Sequence, residues 1–413
     1  MVFHDARTRA ARRNAWSEEG ILFPRGGRAA SAKRFAALAL ALPALALLAT
    51  LAGCTRVHAE PPHTFAYIAN AGSNTVSVLD VAAGRVVRNL ATGSKPVAIT
   101  PNPVRDEVYV VNADSGTVTI IDADSNQIAD TMPVGRMPGR LSVTADGRTG
   151  WVANADSDTA TALDLVGHHV IGQVMVGRHP AVARVSPDGT LVAVANRGDD
   201  SVTLIDGTTL RLRARLHVCK EPDSVVILPD GSKAVVGCSG AHQVAEINLK
   251  NLRLEALLRV GGTPVNLAMK PDGGEVFVSN YEAQTISAVS PYTDEVSDSF
   301  LAGDHPVRSL VSGDNSTLYV SNIDSNSVAV FDATTRQLIT SVQVGSKPDA
   351  LALTPAENML LVGDSGSGDV AVLLLNKRRD QKVQAPLPRL YLMIPTGDKP
   401  SDIAVKTASN VRS

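Results

Sequence analysis

The residues around eight recurring prolines are the candidates for chemistry in this sequence. The residue before the proline differs from copy to copy: Lys95, Met137, His179, Glu221, Thr263, His305, Lys347 and Lys399. Two residues after it, Arg140 and Arg308 occupy equivalent places four copies apart. Histidine binds metals and exchanges protons near neutral pH, and arginine pairs with carboxylates. The candidate ligand-binding residues are therefore His179, His305, Arg140, Arg308 and Glu221, for a metal, a carboxylate or a tetrapyrrole, unless they form only a solvated polar rim.

Each candidate occupies one of two fixed places in a repeat of 42 residues. The period is marked by a glycine three residues before the proline: Gly93, Gly135, Gly177, Gly261, Gly303 and Gly345, with Cys219 in the remaining place. An unbroken period of this length is typical of propeller blades rather than of helical repeats. Proline fixes φ and disfavours helix in the preceding residue, so each Gly-x-x-Pro segment is predicted to be a loop.

Four short strands are predicted after each loop. Val225–Leu228 exemplifies the first, and a Pro-Asp-Gly turn such as Pro187–Gly189 leads to the second. The second ends in Asn, as in Tyr109–Asn112, the third in Asp, as in Val118–Asp122, and Gln127–Met132 is a fourth. Repeated Asn and Asp could suggest a metal or catalytic array. Because such side chains bond the backbone of following turns, we interpret them as blade architecture.

The second-strand segments carry a family resemblance. Tyr67–Asn70, Tyr109–Asn112 and Tyr319–Asn322 each begin with Tyr and end with Asn. These columns resemble the YVTN-type β-propeller repeat family of exported bacterial and archaeal proteins. The resemblance covers residues 64–405 and implies an all-β propeller of four-stranded antiparallel blades. It says little about function, because function depends on the sites that a fold carries.

The number of second strands predicts eight blades. The first row lacks its first strand, and the last row stops after one, Ser401–Val405. We therefore expect the C-terminal strand to complete the N-terminal blade and close the ring. The alternative is seven blades with one frayed partial row. In a propeller the Gly-x-x-Pro loops gather at one mouth of the central channel, so the candidate residues would converge there, with Arg140 and Arg308 on opposite sides.

A signal sequence is predicted before the repeats. Lys33 and Arg34 precede an apolar run that ends in Leu51-Ala-Gly-Cys54, which resembles the bacterial lipobox. The resemblance implies that Cys54 is lipidated and becomes the first mature residue; an uncleaved transmembrane helix is the alternative. Thr55 in the next position resembles outer-membrane sorting. The expected domains are a signal peptide at 1–54, a tether at 55–63, the propeller at 64–405 and a tail at 406–413.

The two remaining cysteines, Cys219 and Cys238, lie in one repeat. Cys219 replaces the column glycine and Cys238 the column asparagine. Outside the cytoplasm such a pair is expected to form a disulfide. Two buried free thiols or a metal pair are the alternatives, although neither a Cys-x-x-Cys spacing nor a histidine motif accompanies them.

Composition argues against one class of partner. The chain has a net charge of −2, and residues 1–54 hold eight Lys and Arg against three Asp and Glu, so the rest carries −7. A mildly acidic body is not expected to bind nucleic acid through the phosphate backbone. Aromatic residues make up 4% of the chain, so the core must consist mainly of Val, Ala, Leu and Ile.

Enzyme signatures are missing from the sequence. It has no Gly-x-Ser-x-Gly, His-Glu-x-x-His or phosphate-binding glycine loop, and no Cys-x-x-Cys-His for a c-type haem. We therefore expect a monomeric, non-catalytic lipoprotein of the cell envelope. It would act as a binding or scaffold module, meeting the membrane through its lipid and binding an envelope protein or a small anionic ligand.

Two alternatives to a non-catalytic module remain open, and no cofactor is assigned. The first is a cofactor-binding oxidoreductase or cofactor-handling protein of haem d1 or quinone type. Its support is the group of His179, His305, Arg140 and Arg308 at the channel mouth. The count of eight blades also resembles the haem d1 domain of nitrite reductases and its biosynthetic relatives. The second is a hydrolase resembling propeller lactonases.

Overall fold

The computed structural model describes residues 63–375 and 387–408. The predicted signal segment, Cys54 and almost all of the predicted tether lie outside these residues. The described chain forms eight four-stranded antiparallel sheets, which are the blades of a propeller. The prediction of eight blades is confirmed, and the alternative of seven is wrong.

The strands follow one another blade by blade, and only blade 1 combines segments from both ends of the chain. Its strands are β1 (Thr64–Asn70), β2 (Thr75–Asp80), β3 (Arg85–Ala91) and β32 (Pro400–Thr407). Blade 2 contains β4 (Pro96–Pro101), β5 (Glu107–Asn112), β6 (Thr117–Asp122) and β7 (Gln127–Pro133). Blade 3 contains β8 (Pro138–Val143), β9 (Thr149–Asn154), β10 (Thr159–Asp164) and β11 (His169–Met175). Blade 4 contains β12 (Pro180–Val185), β13 (Leu191–Asn196), β14 (Ser201–Asp206) and β15 (Leu212–His217).

The other four blades repeat this order without a break. Blade 5 contains β16 (Pro222–Ile227), β17 (Lys233–Cys238), β18 (Gln243–Asn248) and β19 (Arg253–Arg259). Blade 6 contains β20 (Pro264–Met269), β21 (Val276–Asn280), β22 (Thr285–Ser290) and β23 (Glu295–Leu301). Blade 7 contains β24 (Pro306–Val311), β25 (Thr317–Asn322), β26 (Ser327–Asp332) and β27 (Leu338–Gln343). Blade 8 contains β28 (Pro348–Leu353), β29 (Met359–Asp364), β30 (Asp369–Leu374) and β31 (Arg389–Pro395).

The Asn and Asp columns stabilise the blades in two different ways. The carboxylate of Asp206 accepts the N–H groups of Thr208 and Thr209, at 3.2 and 2.8 Å, as predicted for a turn. Asn112 differs, because its amide donates to the hydroxyls of Thr117 and Thr119 on the next strand, at 3.1 and 2.9 Å. In the Asn column, such hydroxyl partners are added to the predicted backbone partners. Oδ1 of Asn154 accepts the N–H of Gly135 at 3.1 Å, and the amide of Asn322 donates to the carbonyl of Ala302 at 3.0 Å.

The ring closes through β32. It pairs with β1 in antiparallel register, Ala66 opposite Val405, and the N–H of Ala408 donates to the carbonyl of His63 at 2.9 Å. On its flanks β32 contacts β4 and β28, so it completes the circle of innermost strands. The predicted closure is confirmed.

The apolar core is divided among the blade interfaces rather than gathered at the centre. Within the described chain each pair of neighbouring blades shares one cluster of buried side chains. The largest fully buried side chain, Trp151, lies in the cluster between blades 3 and 4. Because the interfaces hold the core, the central channel is free to carry polar residues. None of the described helical segments is long and apolar enough to cross a membrane.

Candidate functional site

Three guanidinium groups meet inside the central channel. They belong to Arg140 on β8, Arg184 on β12 and Arg308 on β24, and each interacts electrostatically with at least one of the others. All three line a cavity of about 510 Å³. The same three also line a second cavity of about 240 Å³, towards the starts of the innermost strands. The arginines therefore separate two compartments of the channel.

One carboxylate neutralises part of this charge. Oδ2 of Asp402, on the closing strand β32, lies 2.5 Å from Nη2 of Arg140. The same oxygen accepts the N–H of Ile99 at 2.9 Å, so a single side chain of blade 1 connects blades 2 and 3. Asp402 is 6% exposed and is the one carboxylate among the described residues that line the larger cavity.

Arg184 and Arg308 are held by main-chain carbonyls instead. Nε of Arg184 donates to the carbonyl of Val225 at 3.2 Å, and Nε of Arg308 donates to that of Asp349 at 3.1 Å. Neither side chain forms an ion pair with any residue in 63–375 or 387–408. Burial, aided by the charges of Arg140 and Arg308, lowers the pKa of Arg184 to about 10. Burial also lowers the pKa of Arg308.

Two further acids follow the prolines of blades 5 and 8. Burial raises the pKa of Asp223 to about 6 and that of Asp349 to about 6, although Arg308 acts in the opposite direction on Asp349. Asp223 lines the smaller arginine cavity, and Asp349 lines a separate cavity at the rim. Both acids can therefore change charge in mildly acidic solution.

The two candidate histidines lie at the rim. His179 is 57% exposed, with Nδ1 3.7 Å from Asp156. His305 places Nδ1 2.8 Å from Oδ2 of Asp324, and its ring packs on Tyr281 with centroids 4.4 Å apart. Neither histidine lines an arginine cavity.

Glu221 is also a rim residue, and it is 40% exposed and 3.2 Å from Arg197. All eight residues before the prolines have positive φ, from 44° to 56°. In several of these residues a side chain of the preceding blade accepts the backbone N–H and stabilises the positive-φ conformation. Asp200, for example, accepts the N–H of Glu221 at 2.9 Å. This ring of residues is thus built by one repeated turn.

The structure brings together only part of the predicted group. Arg140 and Arg308 meet in the channel, whereas His179, His305 and Glu221 remain at the rim. The described residues include no group of three or more His, Cys, Asp or Glu arranged to hold a metal ion. Four residues of the channel and its rim were not predicted from the sequence: Arg184, Asp402, Asp223 and Asp349. Arg184 follows its proline by four residues instead of two, and the alternation of side chains along a strand directs both positions to the same face.

The two cysteines of blade 5 are joined by a disulfide, with Cα atoms 5.9 Å apart. Cys219 precedes β16 and Cys238 ends β17, so the bond connects the loop before β16 to the neighbouring strand. The predicted disulfide is confirmed, and neither cysteine lines the arginine cavities.

Solved structures share the fold at low sequence identity. "Kuenenia stuttgartiensis Hydrazine Synthase" aligns with 19% identity and a TM-score of 0.56, over 68% of this chain and 95% of that one. "Dihydro-heme d1 dehydrogenase NirN in complex with DHE" aligns with 14% identity and a TM-score of 0.67, over 82% of this chain and 74% of that one. A functionally unknown protein from Desulfotomaculum acetoxidans DSM 771 aligns with 13% identity and a TM-score of 0.58, over 84% and 99%.

Comparison with curated proteins found no significant match. A family model described as YNCE-like beta-propeller matches residues 28–357, which is most of the chain. This match agrees with the β-propeller fold of the described residues. The chain therefore belongs to the YNCE-like β-propeller family.

Proposed function

We propose that this protein is a non-catalytic, lipid-anchored binding protein of the cell envelope, and that its channel binds a small anionic molecule. The observation that carries the proposal is Arg184. It lines the channel cavity together with two other arginines, whose charges act on it, and it has no ion pair among the described residues. Enclosed like charges cost folding free energy unless an opposite charge compensates them. An anion in the cavity would provide that compensation.

The cluster has the composition of a ligand site. Pockets for small molecules combine apolar walls with a few convergent polar groups, and the larger cavity has both, because Leu141, Leu310 and Ile403 lie beside Ser142 and Asn266. A guanidinium group presents a planar fork of donors that matches a carboxylate. Enclosure of the site by eight blades strengthens such a pair relative to bulk water.

Substitution of Arg184 tests the anion site. The full chain, purified in detergent, would be compared with Arg184→Gln by native mass spectrometry and by titration with organic acids. We expect the parent to bind an anion and the variant to lose at least about tenfold in affinity, the worth of one charge-assisted hydrogen bond. The variant should melt slightly above the parent in the absence of ligand, because one enclosed charge is gone.

The control is Arg213→Gln, which removes an exposed arginine on β15, 2.9 Å from Asp206. It should leave anion binding unchanged. If neither mass spectrometry nor titration finds any anion on the parent, the channel is not a binding site, and a scaffold role is favoured instead.

The lipid anchor rests on the sequence alone, since Cys54 lies outside the described residues. The support is the Leu51-Ala-Gly-Cys54 ending of an apolar run. Cys54→Ala should leave an unprocessed precursor or release the protein from membranes. Membrane fractionation and gel mobility identical to those of the parent would contradict the anchor.

A cofactor-binding function is the second candidate, because of His305. Its Nδ1 is buried and forms no hydrogen bond with the described residues, although it lies 2.8 Å from Oδ2 of Asp324, so this nitrogen could bind a metal or cofactor. The structural neighbour NirN was solved in complex with DHE, but at 14% identity that likeness concerns the fold. Absorbance spectra and metal analysis of exported protein decide between the candidates. A visible band that His305→Ala abolishes would favour the cofactor.

A further inference from the structure

This inference rests on the proposed anion site and specifies its ligand. We infer that the channel binds a small organic acid with two separate anionic groups, a dicarboxylate, held between Arg184 and Arg308. The residues that line the larger cavity include three guanidinium groups and one carboxylate. Asp402 pairs with Arg140, which leaves two positive charges without a partner in that cavity.

Asp349 is the other acid close to Arg308. Its carboxylate stabilises the charged form of Arg308 electrostatically, and its carbonyl accepts Nε of that side chain. It lines the rim cavity beside Lys347 and Lys399, however, and not the larger arginine cavity. Among the described residues, the one protein carboxylate that a ligand in the larger cavity meets is therefore Asp402, which already pairs with Arg140.

The guanidinium groups of Arg184 and Arg308 are two separate binding groups. Arg184 belongs to blade 4 and Arg308 to blade 7, so they enter the channel from different sides of the ring. In both, Nε is occupied by a carbonyl of the next blade, Val225 in one case and Asp349 in the other. Within residues 63–375 and 387–408 the terminal nitrogens of these two groups form no hydrogen bond, so they could bind a carboxylate in bidentate fashion.

The apolar lining of the larger cavity favours a ligand with a carbon chain over a compact inorganic ion. Leu141, Leu310, Leu351 and Ile403 line the cavity, and its volume of about 510 Å³ is much larger than phosphate or sulfate requires. Apolar contact with these side chains would stabilise methylene groups between two carboxylates. Asn266, from blade 6, adds a neutral hydrogen-bonding group to the wall.

The test compares diacids with matched monoacids. The full chain in detergent would be titrated calorimetrically at constant ionic strength with succinate, glutarate and adipate, with butyrate and valerate, and with inorganic phosphate and sulfate. We expect at least one dicarboxylate to bind about tenfold or more tightly than the monocarboxylate of similar length, because it engages a second charge-assisted pair.

Substitution of the two arginines then shows which of them binds each carboxylate of the ligand. Arg184→Gln and Arg308→Gln should each reduce dicarboxylate affinity to the monocarboxylate level, and Arg184→Lys and Arg308→Lys should retain part of it. The exposed Arg213→Gln is the control that should bind like the parent. Melting temperatures of all variants show whether each is folded, and the lysine variants keep the test valid if a glutamine variant is unstable.

The outcomes separate this inference from the proposed function. Equal affinity for mono- and dicarboxylates, lost in Arg184→Gln, would leave an anion site and overturn the two-ended ligand. Tighter binding of phosphate or sulfate than of any dicarboxylate would overturn it as well. If no anion binds, both the inference and the proposed anion site are wrong.

Discussion

Asp364 occupies the buried column position that Asn112 and Asn154 occupy in other blades. Those asparagines donate their amides to hydroxyl groups five and seven residues later. In blade 8 the residue five positions later is itself an acid, Asp369. Burial, and then the charge of Asp369, raise the pKa of Asp364 to about 8. Near neutral pH the protonated form is therefore favoured in the folded state.

This shift makes the stability of blade 8 depend on pH. The folded-state pKa of Asp364 is raised from 3.8 to about 8. The contribution of its protonated carboxyl to the free energy of unfolding is therefore fully present below pH 3.8 and is lost as pH rises through about 8. Asp364→Asn removes that loss and restores an amide donor. We expect this variant to melt at a higher temperature than the parent, and we expect the difference in melting temperature to be larger at pH 9 than at pH 5.

The matched control is Asp298→Asn, at an exposed position on β23. The difference in melting temperature between this variant and the parent should be the same at pH 5 and at pH 9. A difference for Asp364→Asn that stays constant from pH 5 to pH 9 would mean that the carboxyl titrates normally.

At the residue scale, the sequence predicted part of the site. The column two residues after the proline identified Arg140 and Arg308, because equivalent places in a repeat have equivalent surroundings. Asp402 occupies the same column but belongs to the incomplete last row. Arg184 lies in a different column, and nothing in a single row shows that its side chain reaches the same cavity. Such a meeting depends on side-chain length and on the distance to the channel axis.

At the scale of strands, the repeat predicted the elements well and their limits less well. The predicted first strand Val225–Leu228 corresponds to β16, which begins at Pro222. The closing strand was predicted at Ser401–Val405 and extends over Pro400–Thr407. Proline cannot donate an N–H to the hydrogen-bond ladder of a sheet, but this is tolerated at the first residue of a strand. A strand can therefore begin at a proline. Because these prolines were predicted to be loop residues, the predicted strands began too late.

The disulfide is the chemical feature that distinguishes blade 5 from the other blades. Cys238 is fully buried at the end of β17, and its bond to Cys219 fixes the loop that leads into β16. Cys219→Ser combined with Cys238→Ser should lower the free energy of unfolding by about 3 kcal/mol, because the unfolded chain gains freedom. Thermal unfolding of the parent with and without reductant measures the same effect.

One outcome would contradict the disulfide, and another would contradict its expected contribution to stability. Peptide mapping under non-reducing conditions should recover the two cysteines as one cross-linked peptide, and two freely alkylated thiols would exclude the bond. An unchanged melting temperature in the double variant would show that the bond contributes no stability.

For the whole molecule, ring closure is the feature on which stability depends most. β32 buries Ile403 and Ala404 between its neighbours and supplies the innermost strand of blade 1. Deleting residues 396–413 would leave β1 with an unpaired edge at the channel. We expect the melting temperature to fall by at least about 5 °C, with aggregation. Deletion of residues 409–413 alone is the control and should have little effect; equal melting of the two truncated proteins would contradict the role of β32.

The ring itself could be predicted from the sequence because the two incomplete rows complement each other. The first row lacks only a first strand and the last row supplies it, as the pairing of β1 with β32 confirms. The contents of the channel could not be predicted in the same way. The charged groups of the larger cavity come from blades 1, 3, 4 and 7, and they meet only when the ring of eight blades is formed.

The position of Asp402 on β32 has a consequence for the order in which this protein matures. A ribosome makes Arg140, Arg184 and Arg308 long before it makes Asp402. Until the final strand docks beside β1, the future channel contains three arginines and lacks the carboxylate that orients one of them. The last step of ring assembly and the completion of the channel's charge pattern are thus the same event. A protease that removes the terminal strand would abolish both, so an incompletely folded or trimmed molecule would not present a finished binding site.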